Sequence, residues 1–168
     1  MNQIELLAAS SDQTRETARL LTAGFQGGEI LELCGPLGAG KTCFAKGLAL
    51  GLGVPESEPI VSPTFVLLRR YEGRMSFIHV DVYRMGSSEE LLDLGLEELR
   101  SETSAVIAVE WADRFPGALG SDTFHVETAY ADAESKRRIV ITPPSKFDSE
   151  IYIRSLREAG IWATLIPD

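Results

Sequence analysis

The stretch EILELCGPLGAGKTCF, residues 29–44, decides the fold. Residues 29–34 are rich in aliphatic side chains and have the length of one strand. Glycines then alternate with other residues up to Lys41-Thr42, and apolar residues recur at helical spacing through Phe44 and Leu48. The stretch therefore predicts a strand, a tight turn and a helix in direct succession.

The turn satisfies the P-loop pattern, in which Gly35 is separated by four residues from Gly40-Lys41-Thr42. Glycines let successive backbone N–H groups turn inward around a phosphate, and the dipole of the following helix adds positive potential there. Lys41 would reach the β- and γ-phosphates, and the Thr42 hydroxyl would join a Mg2+ coordination shell. The motif predicts that a nucleoside triphosphate binds here.

Two carboxylates compete for the role of the acid that a P-loop enzyme places near its metal. In residues 77–84, strand alternation puts His79 and Asp81 on one face, with Asp81 near the end of the strand. In residues 106–111, an apolar run closes on Glu110. His79 alone is interpreted as a structural histidine. The spacing leaves open which acid binds the metal and which positions the attacking water.

The rest of the chain alternates strand-like and helix-like segments. We expect strands over 3–8, 104–109, 122–128 and 137–142, helices over 11–25, 87–100 and 149–159, and a hairpin of VSPTFVLLRRY (61–71) with RMSFIHVDVYR (74–84). This order predicts an α/β fold, a P-loop NTPase-like sheet that is parallel in the centre with antiparallel edge strands and helices on its faces. We expect one P-loop ATPase domain over residues 1–168.

Composition limits the partners. The chain carries a formal net charge of -9, so its surface would repel a phosphate backbone, and we expect contact with RNA only through a partner. Cys34 and Cys43 have no companions at metal-ligand spacing, which favours a packing role in a reducing compartment. The first residues lack a basic, apolar signal pattern, and we expect a cytoplasmic protein.

The scarcity of asparagine excludes two large classes. Asn2 is the only asparagine, whereas a protein kinase needs one in its catalytic loop, and no His-Arg-Asp sequence occurs. P-loop GTPases recognise guanine with an Asn/Thr-Lys-x-Asp element, and its nearest relative, Ser145 to Asp148, lacks the carboxamide. Adenine is therefore the favoured base.

Four motifs together resemble the TsaE family, also called YjeE: GPLGAGKT at 35–42, SPTF at 62–65, HVDVYR at 79–84 and EW at 110–111. That family is the small ATPase subunit of the bacterial machinery that makes threonylcarbamoyladenosine in tRNA. The resemblance implies a Mg2+-dependent ATPase, slow in isolation, that binds ATP. It also implies a complex with TsaD-like and TsaB-like subunits of the tRNA threonylcarbamoyl transferase complex, which would act on the tRNA directly.

Matched residue by residue, the resemblance implies roles for the site. It assigns Lys41, Asp81 and Glu110 to catalysis, and Thr42 and Glu110 to Mg2+. The phosphates would be held by Gly38, Ala39, Gly40, Lys41, Thr42 and Cys43.

The resemblance also implies contacts outside the phosphate loop. Thr14 would lie near the adenine or ribose and Trp111 near the nucleotide, while Ser62 and Thr64 would sit in a switch-like loop. The match does not choose among Lys136, Arg137 and Arg138, and Lys136 is the nucleotide contact that we predict.

The sequence departs from the family's usual pattern in three places. Pro36 stands where an acidic residue is usual, Cys43 where Thr is usual, and Ala18 where Gly is common. With Cys43, a second hydroxyl contact to the phosphates is lost.

Two other functions are compatible with a P-loop. A small-molecule kinase would need a lid rich in Arg or Lys, whereas the segment after Gly86 offers Glu and Leu. A nonenzymatic switch would use ATP to order the SPTF loop, with hydrolysis incidental.

Overall fold

The structure is a computed structural model that describes residues 2–167. Its strands are β1 (Gln3–Ala8), β2 (Ile30–Cys34), β3 (Leu68–Tyr71), β4 (Ser76–Asp81), β5 (Ala105–Glu110), β6 (Phe124–Tyr130), β7 (Arg137–Thr142) and β8 (Ala163–Ile166). Its α-helices are α1 (Ser11–Leu21), α2 (Lys41–Gly51), α3 (Ser88–Asp93), α4 (Leu96–Arg100) and α5 (Ser149–Glu158). Short 3-10 turns cover Thr22–Gly24 and Ala112–Arg114.

All eight strands form one sheet in the order β3-β4-β5-β2-β6-β7-β1-β8. The four strands β4, β5, β2 and β6 run parallel to one another. On one side β3 pairs antiparallel with β4, and on the other β7, β1 and β8 continue antiparallel from β6. This arrangement confirms the predicted sheet, parallel in the centre and antiparallel at the edges.

Two apolar clusters cover the two faces of the sheet. One packs α1, α2 and α5 against the central strands and includes the fully buried Phe44, Leu48 and Leu156. The other places α3 and α4 over β4 and β5 through Leu91 and Leu99. The central strands are therefore apolar on both sides, as parallel strands between helical layers must be.

Apart from shifted ends, as in α1, which stops at Leu21, and β6, which covers Phe124–Tyr130, three elements differ from the expected ones. The segment 61–71 is a strand only from Leu68 onward, because Pro63 cannot donate to a ladder and residues 63–67 close a turn instead. The helix expected over 87–100 is divided at Gly95, whose φ of 77° is left-handed. The strand β8 was not predicted at all, although it pairs with β1 over Gln3–Leu6.

Candidate functional site

The site lies where three neighbouring parallel strands end. Strands β4, β5 and β2 are adjacent, so their carboxyl ends meet at one edge of the sheet. Asp81 is the last residue of β4 and pairs in register with Glu110, the last residue of β5. Cys34 ends β2 and leads directly into the glycine loop. The sheet topology thus brings both acids to the loop.

The loop has the backbone that a phosphate cradle requires. Gly35, Gly38 and Gly40 have φ values of 129°, 75° and 110°, all left-handed. A Cβ at Gly35 would stand 2.1 Å from the carbonyl oxygen of Thr128. Gly40 caps α2 without a side chain, so the first backbone N–H groups of this helix have no helical acceptor and face an approaching anion.

Lys41 is folded back along the loop and is only 4% exposed. Its ammonium donates to the carbonyl oxygens of Gly35, at 2.6 Å, and Pro36, at 2.9 Å, and lies 3.6 Å from the ring centroid of Trp111. Burial lowers the pKa of Lys41, against the opposing effect of nearby carboxylates, first among them Glu110. The ammonium is already at the loop, within reach of an entering phosphate.

Glu110 is held at both carboxylate oxygens. Its Oε2 accepts a hydrogen bond from the Thr42 hydroxyl at 3.0 Å, and its Oε1 lies 2.8 Å from Nε2 of His79. Glu110 is 2% exposed and His79 is fully buried. Helix α2 and strands β4 and β5 therefore converge on a single carboxylate.

Asp81 is held by a different set of donors. Its Oδ2 accepts from the hydroxyls of Ser62 and Thr64, the latter at 2.8 Å, and its Oδ1 accepts from the backbone N–H of Tyr83 at 2.8 Å. The two hydroxyls lie 3.0 Å from each other. Asp81 thus fixes the loop that carries the SPTF motif against the end of β4.

One cavity of about 340 Å³ is lined by both acids and by the two hydroxyl residues that hold Asp81. The other lining residues are Leu37, Gly38, Gly40, Lys41, Thr42, Cys43, Tyr83 and Trp111. Trp111 adopts a left-handed φ of 65° and packs on Tyr83 at 4.8 Å between ring centroids. A separate groove of about 450 Å³ lies beside α2, between Lys46 and Ile60. The first space is the candidate site because it contains the glycine loop and both acids.

Thr14 and Cys43 lie beside the loop in different ways. Thr14 is buried, donates its hydroxyl to the carbonyl oxygen of Ser10, and has its methyl 4.0 Å from where a Cβ of Gly40 would stand. Cys43 lines the cavity, with Sγ 3.4 Å from the carbonyl oxygen of Ser11. Burial raises the pKa of the Cys43 thiol, so this residue presents a neutral group to the cavity.

Two residues of the β6–β7 hairpin contact the loop: Tyr130, which was not predicted, and Arg137, one of the three basic residues among which the sequence did not choose. Tyr130 donates its hydroxyl to the carbonyl oxygen of Leu37 at 2.7 Å, and Arg137 donates to that of Gly38 at 3.1 Å. The guanidinium also stacks 4.5 Å from the centroid of the Tyr130 ring. Of the three basic residues at 136–138, the structure brings Arg137 to the loop, whereas the backbone N–H of the predicted Lys136 bonds within the hairpin turn, to Ala133. Nothing local in the sequence singles out Tyr130.

The oxygen donors at the site suit Mg2+. The Thr42 hydroxyl and the Glu110 carboxylate oxygen are 3.0 Å apart, which is about the separation of two adjacent ligands in an octahedral shell with bonds of ~2.1 Å. Within residues 2–167, no group of three or more His, Cys, Asp or Glu residues could hold a metal ion. A cation here would therefore complete its shell with phosphate and water oxygens, as Mg2+ commonly does.

No helix within residues 2–167 has the length and apolar character that crossing a membrane would take.

Comparison with known proteins agrees with this architecture. The family model described as "Threonylcarbamoyl adenosine biosynthesis protein TsaE" matches residues 8–139. The chain is 38% identical over 135 residues to a tRNA threonylcarbamoyladenosine biosynthesis protein TsaE of Treponema pallidum, a match that covers 80% of this chain and 97% of the relative. A Bacillus subtilis protein with the same description is 36% identical over 143 residues, which is 84% of this chain and 87% of the relative.

The fold has a solved counterpart. The crystal structure of Bacillus subtilis YdiB superposes with a TM-score of 0.72 at 28% sequence identity, covering 95% of this chain and 98% of that one. The family match, the two relatives and this superposition all span the phosphate loop and both strand-end acids. The chain belongs to the TsaE family of tRNA threonylcarbamoyladenosine biosynthesis proteins.

Proposed function

We propose that this protein is a Mg2+-dependent ATPase, a single P-loop domain that drives repeated rounds of threonylcarbamoyladenosine formation by acting on partner subunits rather than on tRNA. The observation that carries the proposal is the meeting of Thr42 and Glu110, 3.0 Å apart at the mouth of a glycine loop. A hydroxyl at the first turn of a P-loop helix and an acid at the end of a neighbouring strand are the two protein ligands that such enzymes give Mg2+.

Each group at the site has a role in this proposal. The N–H groups at the start of α2 and the Lys41 ammonium bind the β- and γ-phosphates, and Thr42 with Glu110 would hold Mg2+. The metal, when bound, neutralises charge that develops on the phosphates. Asp81, with the hydroxyls of Ser62 and Thr64, forms the polar wall that orients a water molecule for hydrolysis.

Partner subunits would supply the contacts with tRNA that this acidic surface does not favour. A chain with a net charge of -9 is poorly suited to hold RNA. We infer that TsaD-like and TsaB-like subunits of a transferase complex hold the tRNA and carry out the transfer, and that this protein is a slow ATPase without them. Adenine is the proposed base because the chain lacks the guanine-reading element.

One observation favours a second candidate, a nucleotide switch in which hydrolysis is incidental. The loop that Asp81 holds through two hydroxyls also displays Phe65, whose side chain is 81% exposed. A change at the γ-phosphate could be passed through Asp81 to that apolar side chain. This candidate shares ATP binding with the first and differs in whether turnover requires hydrolysis.

Reconstituted tRNA modification separates the two. Lys41→Ala should weaken ATP binding by about 10- to 100-fold, since it removes a charged donor to the phosphates. At saturating Mg2+, Asp81→Asn and Glu110→Gln should retain ATP binding and a first round of modification but fail in repeated rounds. Glu98→Gln, an exposed acid on α4, is the matched control and should behave as the unchanged protein.

Three outcomes would redirect the assignment. Normal repeated rounds with Asp81→Asn and Glu110→Gln would favour the switch over the ATPase. ATP binding that survives Lys41→Ala unchanged would remove the phosphate loop from the proposal. Modification that proceeds equally well when the protein is omitted would refute the role in repeated turnover.

A further inference from the structure

His79, which is buried beside Glu110, has no role in the chemistry assigned above. His79 lies on the face of β4 that turns toward α2, opposite the small Ala108 of β5. Its ring packs on that of Phe77, with 5.9 Å between centroids and an interplanar angle of 24°. The imidazole is fully buried, so solvent neither reaches it nor competes for its nitrogens.

The two ring nitrogens of His79 have different surroundings. Nε2 lies 2.8 Å from Oε1 of Glu110, whereas Nδ1 has no hydrogen-bond partner in the described chain. An unprotonated Nε2 would point its lone pair at the lone pairs of the carboxylate oxygen, which would be repulsive. Nε2 therefore carries a proton and donates a hydrogen bond to Glu110. The N–H group of Nε2 thus points at Glu110.

That N–H fixes how the carboxylate is turned. With Oε1 held by His79, Oε2 is the oxygen left to face the Thr42 hydroxyl at 3.0 Å. Without the donor, the carboxylate could rotate about its terminal torsion, which is broad and has no steep minimum. Buried partners that orient a metal-binding group typically change metal affinity by about 10- to 100-fold when they are removed.

We propose that His79 is a positioning residue for Mg2+: it donates Nε2–H to Glu110 and thereby presents Oε2, beside the Thr42 hydroxyl, to the cation that accompanies the nucleotide. This inference rests on the proposed function. It assigns His79 a role in the binding of the metal and none in the binding of the nucleotide itself. The effect should therefore appear only when Mg2+ is present.

The test is equilibrium binding of a fluorescent ATP analogue, titrated with Mg2+ and repeated in EDTA, alongside thermal unfolding of each variant. His79→Leu removes the hydrogen-bond donor to Glu110. The Mg2+ concentration that gives half of the maximal increase in analogue binding should then rise about 10- to 100-fold, while the affinity for the analogue in EDTA stays unchanged. His79→Gln keeps an N–H group at a similar reach and should recover most of the Mg2+ response. Val80→Ala, on the opposite face of β4, is the control for a weakened core and should leave the Mg2+ midpoint in place.

Each outcome either supports or overturns the proposed role of His79. An unchanged Mg2+ midpoint in His79→Leu would overturn the proposal, as would an equal loss of affinity in EDTA, which is what a purely structural role produces. If His79→Leu does not fold, His79→Gln decides: a wild-type midpoint supports the positioning role, and a midpoint shifted by tenfold or more refutes it. If the unchanged protein binds the analogue with no response to Mg2+, the proposed function fails first and this inference falls with it.

Discussion

Helices α1 and α2 approach so closely at Gly47 that any added atom must separate them. A Cβ built there would stand 2.1 Å from the carbonyl oxygen of Arg15 and 2.7 Å from Cβ of Ala18. The first of these neighbours is backbone, which cannot swing aside as a side chain can. Gly47→Ala therefore tests how closely α2, which carries Lys41 and Thr42, packs against α1.

Two opposing effects set the expected magnitude. Alanine in place of glycine inside a helix should stabilise it by about 1 kcal/mol. Overpacking typically costs about 1–3 kcal/mol, and a backbone clash belongs at the upper end. The balance is a loss of about 2 kcal/mol, which for a domain of this size lowers the melting temperature by about 4–8 °C.

Thermal and urea unfolding followed by circular dichroism measure the change. Gly24→Ala is the matched control, because a Cβ there would meet nothing within 4 Å, and it should be neutral or stabilising by up to ~1 kcal/mol. If Gly47→Ala melts at or above the temperature of Gly24→Ala, the close packing of α1 on α2 is wrong. Adding Ala18→Gly should recover little of the loss, because the contact with the Arg15 carbonyl remains and glycine inside α1 itself costs about 1 kcal/mol.

Two further predictions concern other contacts. Tyr130→Phe removes the hydrogen bond to the carbonyl oxygen of Leu37 and should weaken ATP binding about fivefold, equivalent to ~1 kcal/mol, at an unchanged melting temperature; unchanged affinity would show that the tyrosine does not support the loop. Contacts with Cys34 and then Glu32 raise the pKa of His125 to about 10, so the folded state binds this proton more tightly than the unfolded state. The difference in free energy of unfolding between wild type and His125→Gln should be largest below pH ~6.5 and should fall as pH rises toward 10. Urea unfolding at pH 6 and 9.5 measures this difference. An equal difference at both pH values would contradict the raised pKa of His125.

Local sequence predicted the parts of the site that lie on single segments. The phosphate loop needs its glycines, Lys41 and Thr42 in one short run. Strand alternation placed Asp81 near the end of its strand, and a continuous apolar run closed on Glu110. The structure shows those two acids in register with each other. Periodicity could supply this much because both strands are central and buried, where the apolar pattern is strongest.

The parts that sequence reasoning missed depend on pairing between distant segments. Tyr130 and Arg137 are registered opposite each other across β6 and β7, and only the parallel pairing of β2 with β6 brings them to the loop. The proposed role of His79 could not be predicted either, because it depends on the contact with Glu110 on the neighbouring strand. The strand β8 is short and lies at an edge, where the apolar pattern is weakest.

The position of β1 between β7 and β8 has a consequence for synthesis on the ribosome. It is made before both of these neighbours, and about 130 residues separate it from β7, the earlier of the two. At a synthesis rate of ~5–20 residues per second, roughly 6–26 seconds pass between the synthesis of β1 and that of its first partner strand. The hairpin that ends this wait is the one that delivers Tyr130 and Arg137 to the phosphate loop. We expect a nascent chain to bind ATP with full affinity only after β1 has paired with β7.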